Sequence, residues 1–384
     1  MAKKRILMTM AEAGSGHKAP AMAVRDALEE RHPGRFDVEV VDLGPVAGAH
    51  KSDRHIKNAW DAALAHPMLG RVGYRMIESL HPVSRLYPRL VMKDYFDKGA
   101  QYIASYAPDL VFSTYTFTTT AATLARDWYD LSFRVILYVT DPFDAYSWWA
   151  EKQADYLLVA SEQAGERLQE RGIDAAQIRY FDFPINNRFL SVSAPADELR
   201  QRYGLDPGYC TILATDGGRG IGNVGAYMHE VYRRGMPFNI ILVCARNEQL
   251  LAESRALIQN EPSDTVLVPV GYVDNMNELL SISDLMVAKA GASTTFEALL
   301  MGVPIVFSCW ASYNEKPNVD FVLDNDIGWY APDEESVMAL MERVCDTDVI
   351  HVYKENIRQL GLHSGSNDIA DFVASLLAEQ PAGV

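Results

Sequence analysis

Short apolar runs alternate with segments of helical spacing along nearly the whole chain. Arg5–Met10, Asp37–Asp42, Leu110–Ser113, Arg134–Val139, Tyr156–Ala160 and Ile178–Phe181 are each four to six residues long and rich in β-branched or aromatic residues. Helix-period stretches such as Ala19–Arg31 and Ser161–Arg171 lie between them. Runs this short and continuously apolar are strands buried on both faces, which predicts a parallel sheet covered by helices. A second series follows: Thr211–Ala214, Asn239–Val243, Val266–Pro269, Leu285–Ala288 and Ile305–Ser308. Final helices are expected at Val337–Arg343, Val349–Gln359 and Asp368–Ala378. Between the two series, residues 184–208 hold Pro184, Pro195 and Pro207 among polar residues and read as a linker. The pattern predicts an α/β protein of two Rossmann-like domains with parallel sheets facing a cleft, residues 1–190 and 191–384. The last helix is expected to pack back on the first domain. Residues 51–105 interrupt the first series as a long, mostly helical insertion. Ligands of such sheets bind at the carboxyl ends of strands, so the loops after Met10 and Ala288 draw attention first.

Composition narrows the classes. A chain of 384 residues is long enough for two domains, and 48% hydrophobic with 22% charged residues is a globular balance. No stretch reaches the ~18 apolar residues of a membrane span. After Met1-Ala-Lys-Lys-Arg5 the apolar stretch is only Ile6–Met10, about five residues against the ~7 of a short signal-peptide core, so it reads as a first strand. Cys210, Cys244, Cys309 and Cys345 form no Cys-x-x-Cys pair, which favours reduced cytosolic thiols over disulfides or a metal site. A net charge of −16 argues against nucleic acid as a partner. Residues 51–98 are the exception, with nine Lys/Arg against five acids. Trp60, Met68, Leu69, Tyr74, Met76, Tyr87, Tyr95 and Phe96 are interleaved there. Such a segment suits an anionic membrane surface, and equally a solvated helical hairpin with its apolar side in the core.

The candidate chemistry sits in the loops. Lys289-Ala-Gly291-Ala-Ser293-Thr294-Thr295-Phe-Glu297 runs from a strand into a helix start carrying three hydroxyls. Free N–H groups and the positive dipole end suit a diphosphate there, and Glu297 is placed for ribose hydroxyls. Any α/β protein has strand–Gly–helix turns, so this loop counts through the company it keeps. Gly14-Ser-Gly16-His17 ends the first strand, and a helix-start His with its pKa lowered by the dipole can serve as a neutral general base. Asp216-Gly217-Gly218-Arg-Gly220-Ile-Gly222 would let a sugar or diphosphate lie against bare backbone. Val273 lies in a turn whose backbone could meet a base edge, and Asn314-Glu315-Lys-Pro-Asn318 could grip sugar hydroxyls.

Taken in order, these loops, with Pro108-Asp-Leu-Val111 and Thr140-Asp141, resemble the monogalactosyldiacylglycerol synthase and processive diacylglycerol glucosyltransferase family. That family is related to the muramyl-pathway N-acetylglucosaminyltransferase and has the GT-B fold. The resemblance spans roughly residues 4–375. It implies an inverting transfer of glucose or galactose from a UDP-sugar to a lipid hydroxyl such as diacylglycerol, with no metal strictly required. His17 and Asp141 would be catalytic, and Gly14, Gly16 and Trp148 would lie on the acceptor side. Gly217, Gly218, Gly220, Val273, Lys289, Gly291, Ser293, Thr294, Thr295, Glu297, Asn314, Glu315 and Asn318 would bind the donor. The insertion falls where the family meets acceptor and membrane, which implies a cytoplasmic, peripheral enzyme on the inner face of the cell membrane. Three departures bear on this. Asp216 replaces a loop glycine, the His that often follows Thr-Asp is absent from Pro142–Trp149, and Lys316-Pro317 interrupts the Asn/Glu loop. A soluble acceptor, a UDP-sugar 2-epimerase and a non-catalytic sugar-nucleotide or lipid-binding protein are the rival readings. The Asp-x-Asp matches at 324–326 and 346–348 read as surface.

Overall fold

The computed structural model describes residues 3–12, 15–65, 67–80, 86–192, 194–217, 222–344 and 347–378. The chain forms two compact units: Met1–Asn187 with Ser312–Asn314 and His363–Val384, and Arg188–Ala311 with Glu315–Leu362.

In the first unit β1 (Lys4–Met10) leads into α1 (Ser15–Arg31) and β2 (Phe36–Asp42). Helices α2 (Leu43–Val46), α3 (His50–Ala65), α4 (Pro67–Ser79), α5 (Leu86–Val91) and α6 (Lys93–Tyr106) precede β3 (Leu110–Ser113). Then come α7 (Thr116–Trp128), β4 (Arg134–Tyr138), β5 (Tyr156–Val159), α8 (Glu162–Glu170) and β6 (Ile178–Tyr180). All strand pairs are parallel, in the order β2-β1-β3-β4-β5-β6. β3 is buried at every position, as its apolar run predicts.

The expected insertion is shorter than 51–105. α6 buries Tyr95, Phe96, Ala100 and Ile103, which makes it the crossover helix into β3. A Cβ on Gly99 would come within 3.1 Å of Ala121, so glycine sets how closely α6 meets α7. Tyr95 and Phe96 therefore belong to the core, and the basic-aromatic segment loses them as surface. Two of its cations are also paired: Lys57 bridges Asp42 and Asp53 (2.6 and 2.9 Å), and Lys98 pairs with Asp94 at 2.8 Å.

The second unit holds α9 (Ala196–Arg202), β7 (Cys210–Thr215), α10 (Val224–Arg233), β8 (Phe238–Val243), α11 (Glu248–Asn260) and β9 (Val266–Val270). It continues with α12 (Met276–Ser281), β10 (Leu285–Lys289), α13 (Ala292–Leu300), β11 (Ile305–Cys309), α14 (Lys316–Asp324), β12 (Gly328–Tyr330), α15 (Glu334–Val344) and α16 (Thr347–Leu360). Its sheet is parallel, ordered β12-β11-β10-β7-β8-β9, the doubly wound Rossmann arrangement. The short edge strand β12 and the helix α9 within the expected linker went unrecognised in the sequence. The chain then returns to the first unit as α17 (Ser366–Ala378), which packs on α1. Arg31 pairs with Asp371 there, and a Cβ on Gly365 would strike the Asp182 carbonyl at 1.9 Å.

Candidate functional site

Strand order locates both sites. In the first sheet it reverses between β1 and β3, and in the second between β7 and β10. A crevice opens at each such switch point, beyond the carboxyl ends of the strands. The loops there carry His17 and Thr114 in the first unit, and Asp216 and Lys289–Ser293 in the second.

His17 stands in the first turn of α1. Its Nδ1 lies 2.7 Å from the Thr114 carbonyl oxygen and 3.1 Å from Thr140 Oγ1. Thr114 Oγ1 donates in return to the His17 carbonyl at 2.8 Å. A carbonyl only accepts, so Nδ1 carries the hydrogen and Nε2 holds the lone pair of a base. Burial lowers the pKa to about 4, partly opposed by the Thr114 bond, so the ring is neutral at physiological pH. The main cause is desolvation, where the helix dipole was expected. Tyr115 meets the ring edge-on at 4.9 Å, and Trp149 lies 6.1 Å away.

Asp141 is buried and accepts from Trp149 Nε1 at 2.7 Å and from Asn314 Nδ2 at 2.8 Å. Asn314, expected among donor ligands, belongs to the short segment 312–314 that clusters with the first unit. Trp148, expected on the acceptor side, packs against Phe117 and Tyr146, with centroids at 5.2 and 6.1 Å. Its neighbour Trp149 is the indole that reaches the site. A Cβ on Gly16 would meet nothing within 4 Å, so that position is open. Gly14, Gly218 and Gly220 lie outside the described residues. Thr114 and Trp149 were missed in the sequence. Thr114 follows β3 directly, a strand-end position that could have flagged it, whereas only the fold tells Trp149 from Trp148.

In the second unit the β10–β11 ladder shifts register between Ala288 and Lys289, which re-aims the chain into the site turn. α13 starts at Ala292 with Gly291 as its cap, so Ser293, Thr294 and Thr295 lie inside the helix rather than at its cap. Thr295 Oγ1 donates to the Gly291 carbonyl at 2.8 Å and is fully buried, which makes it part of the helix start rather than a phosphate-facing hydroxyl. Thr294 is half-buried. Lys289 pairs with Glu315, whose Oε2 also accepts from the Ala311 N–H at 2.7 Å. Asn318 Nδ2 donates to the Ala290 carbonyl at 3.0 Å. Ser293 Oγ and Asn318 Oδ1 are buried without a hydrogen-bond partner. Since Asn318 has its amide nitrogen engaged, its open atom is an acceptor, complementary to a sugar hydroxyl and not to a phosphate.

Glu297 is half-buried, and desolvation raises its pKa to about 7 against the opposing charge of Arg188. Arg188 Nη1 donates to the Asp274 carbonyl at 2.9 Å, within the loop that holds the half-buried Val273. Gly217 has φ +79°, which glycine alone adopts without strain. Asp216 Oδ1 accepts from the Val224 N–H at 3.3 Å and caps α10, so the residue that replaces a family glycine has a structural task. Among the described residues, no cluster of three or more His, Cys, Asp or Glu could hold a metal ion. Asp324 and Asp326 are exposed, and Asp346 lies outside the described residues.

Two parallel Rossmann-like sheets of this order form the GT-B fold, and the matches to glycosyltransferase family models make the chain a UDP-sugar-dependent hexosyltransferase. Within that class the chain is similar to the monogalactosyldiacylglycerol synthase family. Residues 17–185 match the family described as monogalactosyldiacylglycerol (MGDG) synthase, and residues 230–344 match the glycosyltransferase family 28 C-terminal domain. The probable monogalactosyldiacylglycerol synthase 2, chloroplastic, of Oryza sativa subsp. indica is 27% identical over 100% of this chain and 82% of its own length. Among solved structures, MurG of Acinetobacter baumannii is 16% identical, covers 97% of this chain and 99% of its own, and has a TM-score of 0.62. The UDP-GlcNAc 2-epimerase of Neisseria meningitidis, bound to UDP-GlcNAc, is 13% identical over 98% of this chain and 100% of its own, with a TM-score of 0.62. At these identities the structural likeness is one of fold, which an epimerase shares. The family match over 17–185 separates this chain from the epimerase reading.

Proposed function

We propose that the enzyme transfers a hexose from a UDP-sugar to the free hydroxyl of diacylglycerol at an anionic membrane surface, with inversion. Galactose is the first choice of sugar, since the relative from rice is named for galactolipid synthesis, and glucose is the alternative. The observation that carries the reading is His17: a neutral imidazole, its Nδ1–H held by a backbone carbonyl, its Nε2 left as a base, inside the domain that matches the lipid-galactosylating family. Nε2 takes the acceptor proton as the hydroxyl oxygen attacks the anomeric carbon and the bond to UDP breaks. Asp141 is the second acid of the site. The departing diphosphate gains negative charge, which the first turn of α13 and Lys289 offset, so the reading requires no metal. Glu297 accepts from the ribose hydroxyls, the loop at Val273 meets the uracil, and Asn318 and Ser293 lie on the sugar side.

The lipid side of the reading rests on α4 and α5. Val72, Met76 and Leu80 recur every fourth residue and are 51%, 57% and 55% exposed, and Leu90 and Val91 are 79% and 51% exposed. Arg75 is exposed beside them. Among the described residues no helix is long and apolar enough to cross a membrane. An apolar stripe with Arg75 at its edge suits peripheral attachment to anionic lipid, on the cytoplasmic face. His17→Ala tests the chemistry. Loss of a general base lowers kcat by about 100-fold or more, with donor binding retained, and near-wild-type turnover would remove His17 from the mechanism.

A further inference from the structure

The second acid, Asp141, is held by a chain of contacts that begins outside the site. Its Oδ2 accepts from Trp149 Nε1 at 2.7 Å. Trp149 ends the 3₁₀ turn Ser147–Trp149 and is almost wholly buried. That turn is gripped from α4. Glu78 Oε1 accepts from both the N–H and the Oγ of Ser147, each at 2.7 Å. The other oxygen of Glu78 pairs with Arg171, whose side chain is only 9% exposed. One helical turn earlier, Tyr74 donates to Asp144 on the same loop. Burial would raise the Glu78 pKa, but the Ser147 bonds and the Arg171 ion pair outweigh it and hold the carboxyl below its ordinary value. It is therefore ionised at working pH, the form that accepts two hydrogen bonds most strongly.

The grip takes up the Ser147 N–H, while the Trp149 N–H bonds the Tyr146 carbonyl at 2.9 Å within the turn itself. α4 does not need the grip to be a helix. What the grip fixes is where the turn lies, and with it the direction from which the Trp149 indole reaches Asp141. We propose that Glu78 is a positioning residue of the transferase reaction, which fixes the Ser147–Trp149 turn from α4 and through Trp149 sets the place of Asp141. The inference rests on the reading of Asp141 as the second acid. It also gives α4 two tasks on opposite sides, since Val72 and Met76 occupy the face turned away from Tyr74 and Glu78. A carboxylate displaced by even an ångström loses much of its catalytic effect.

The test uses the full-length enzyme with diacylglycerol vesicles and both UDP-sugars. Glu78→Ala, Glu78→Gln, Trp149→Phe and Asp141→Asn are compared by kcat, donor KM and the ¹⁵N–¹H resonance of the Trp149 indole, assigned by its loss in Trp149→Phe. Glu78→Ala is expected to lower kcat by about tenfold or more, leave donor KM within about twofold, and shift the indole resonance. Glu78→Gln keeps an acceptor for Ser147 and restores most of kcat. The double variant Glu78→Ala/Trp149→Phe falls no further than Trp149→Phe alone, because the two act through one contact. Ser147→Ala deletes a single hydrogen bond, leaves α4 intact and shifts the same resonance with a smaller loss, which keeps the test readable where Glu78→Ala fails to fold. An unchanged kcat and resonance in Glu78→Ala, or additive losses in the double variant, would overturn the proposal. Wild-type turnover by Asp141→Asn would instead overturn the catalytic reading of Asp141, while the indole resonance would still report whether Glu78 holds the turn.

Discussion

Replacing Glu297 with Gln should stabilise the protein and weaken the binding of its donor. Folding moves the Glu297 carboxyl into a poorly solvated place and raises its pKa from 4.5 to about 7. The folded state thus holds the proton more tightly than the unfolded state. Below pH 4.5 both states are protonated and the group is neutral in its effect. Between pH 4.5 and 7 stability declines as pH rises, and above 7 the full cost of an ionised, desolvated carboxylate is present. At about 1.4 kcal/mol per tenfold change the cost reaches about 3 kcal/mol, and allowing for partial exposure and relaxation about 1–3 kcal/mol. Gln resembles the protonated acid and escapes it. Glu297→Gln should therefore exceed wild type by about 1–3 kcal/mol at pH 8, which for a unit of this size is about 3–8 °C in Tm, and match it near pH 4. Thermal scans of both proteins at the two pH values isolate the effect, because every other titrating group is common to both. Donor affinity should move the other way. A carboxylate that accepts from ribose hydroxyls contributes about 1.5–3 kcal/mol, so UDP binding by calorimetry at pH 8 should weaken by about 10- to 100-fold. An equal stability difference at both pH values, or a less stable variant at pH 8, would refute the reasoning.

Three further outcomes follow from named contacts. With the His17 pKa lowered to about 4, kcat/KM should stay flat from pH 8 down to about 5 and fall with a midpoint near 4; a midpoint near 6.5 would contradict the desolvated, neutral ring. Gly222→Ala would place a Cβ 2.0 Å from Asp216 Oδ1 and break the cap of α10; urea unfolding should show a loss of about 1–2 kcal/mol, and unchanged stability would remove the cap from the account. Val72→Glu/Met76→Glu should lower pelleting with anionic vesicles by about tenfold without changing stability, whereas unchanged pelleting would show that α4 does not meet lipid.

The strands and the loops at their carboxyl ends were legible because a doubly covered parallel sheet leaves short, continuous apolar runs. β12 was not, because three residues, Gly328–Tyr330, are too few to show a period. α6 admits two readings in sequence, a membrane-facing segment or a hairpin with its apolar side in the core, and its buried Tyr95, Phe96, Ala100 and Ile103 fit the second. At the site, residue types picked out loops that the fold places at the carboxyl ends of strands, but not which of their atoms are already bonded within the protein. Trp148 and Trp149 are equal in sequence, and only the 3₁₀ turn decides that Trp149 faces Asp141. Thr295 reads as a ligand until its hydroxyl is seen bonded to Gly291. Tertiary contacts such as Glu78–Ser147, 69 residues apart, leave no local trace at all.

The most direct test of the central claim is UDP release from UDP-galactose and UDP-glucose, with and without diacylglycerol vesicles, the products resolved by mass. The account predicts vesicle-dependent release and a hexosyl-diacylglycerol product, with UDP-galactose the faster donor. Release that ignores the lipid and instead follows soluble hydroxyl compounds would contradict it, and would leave α4 and α5 as ordinary surface.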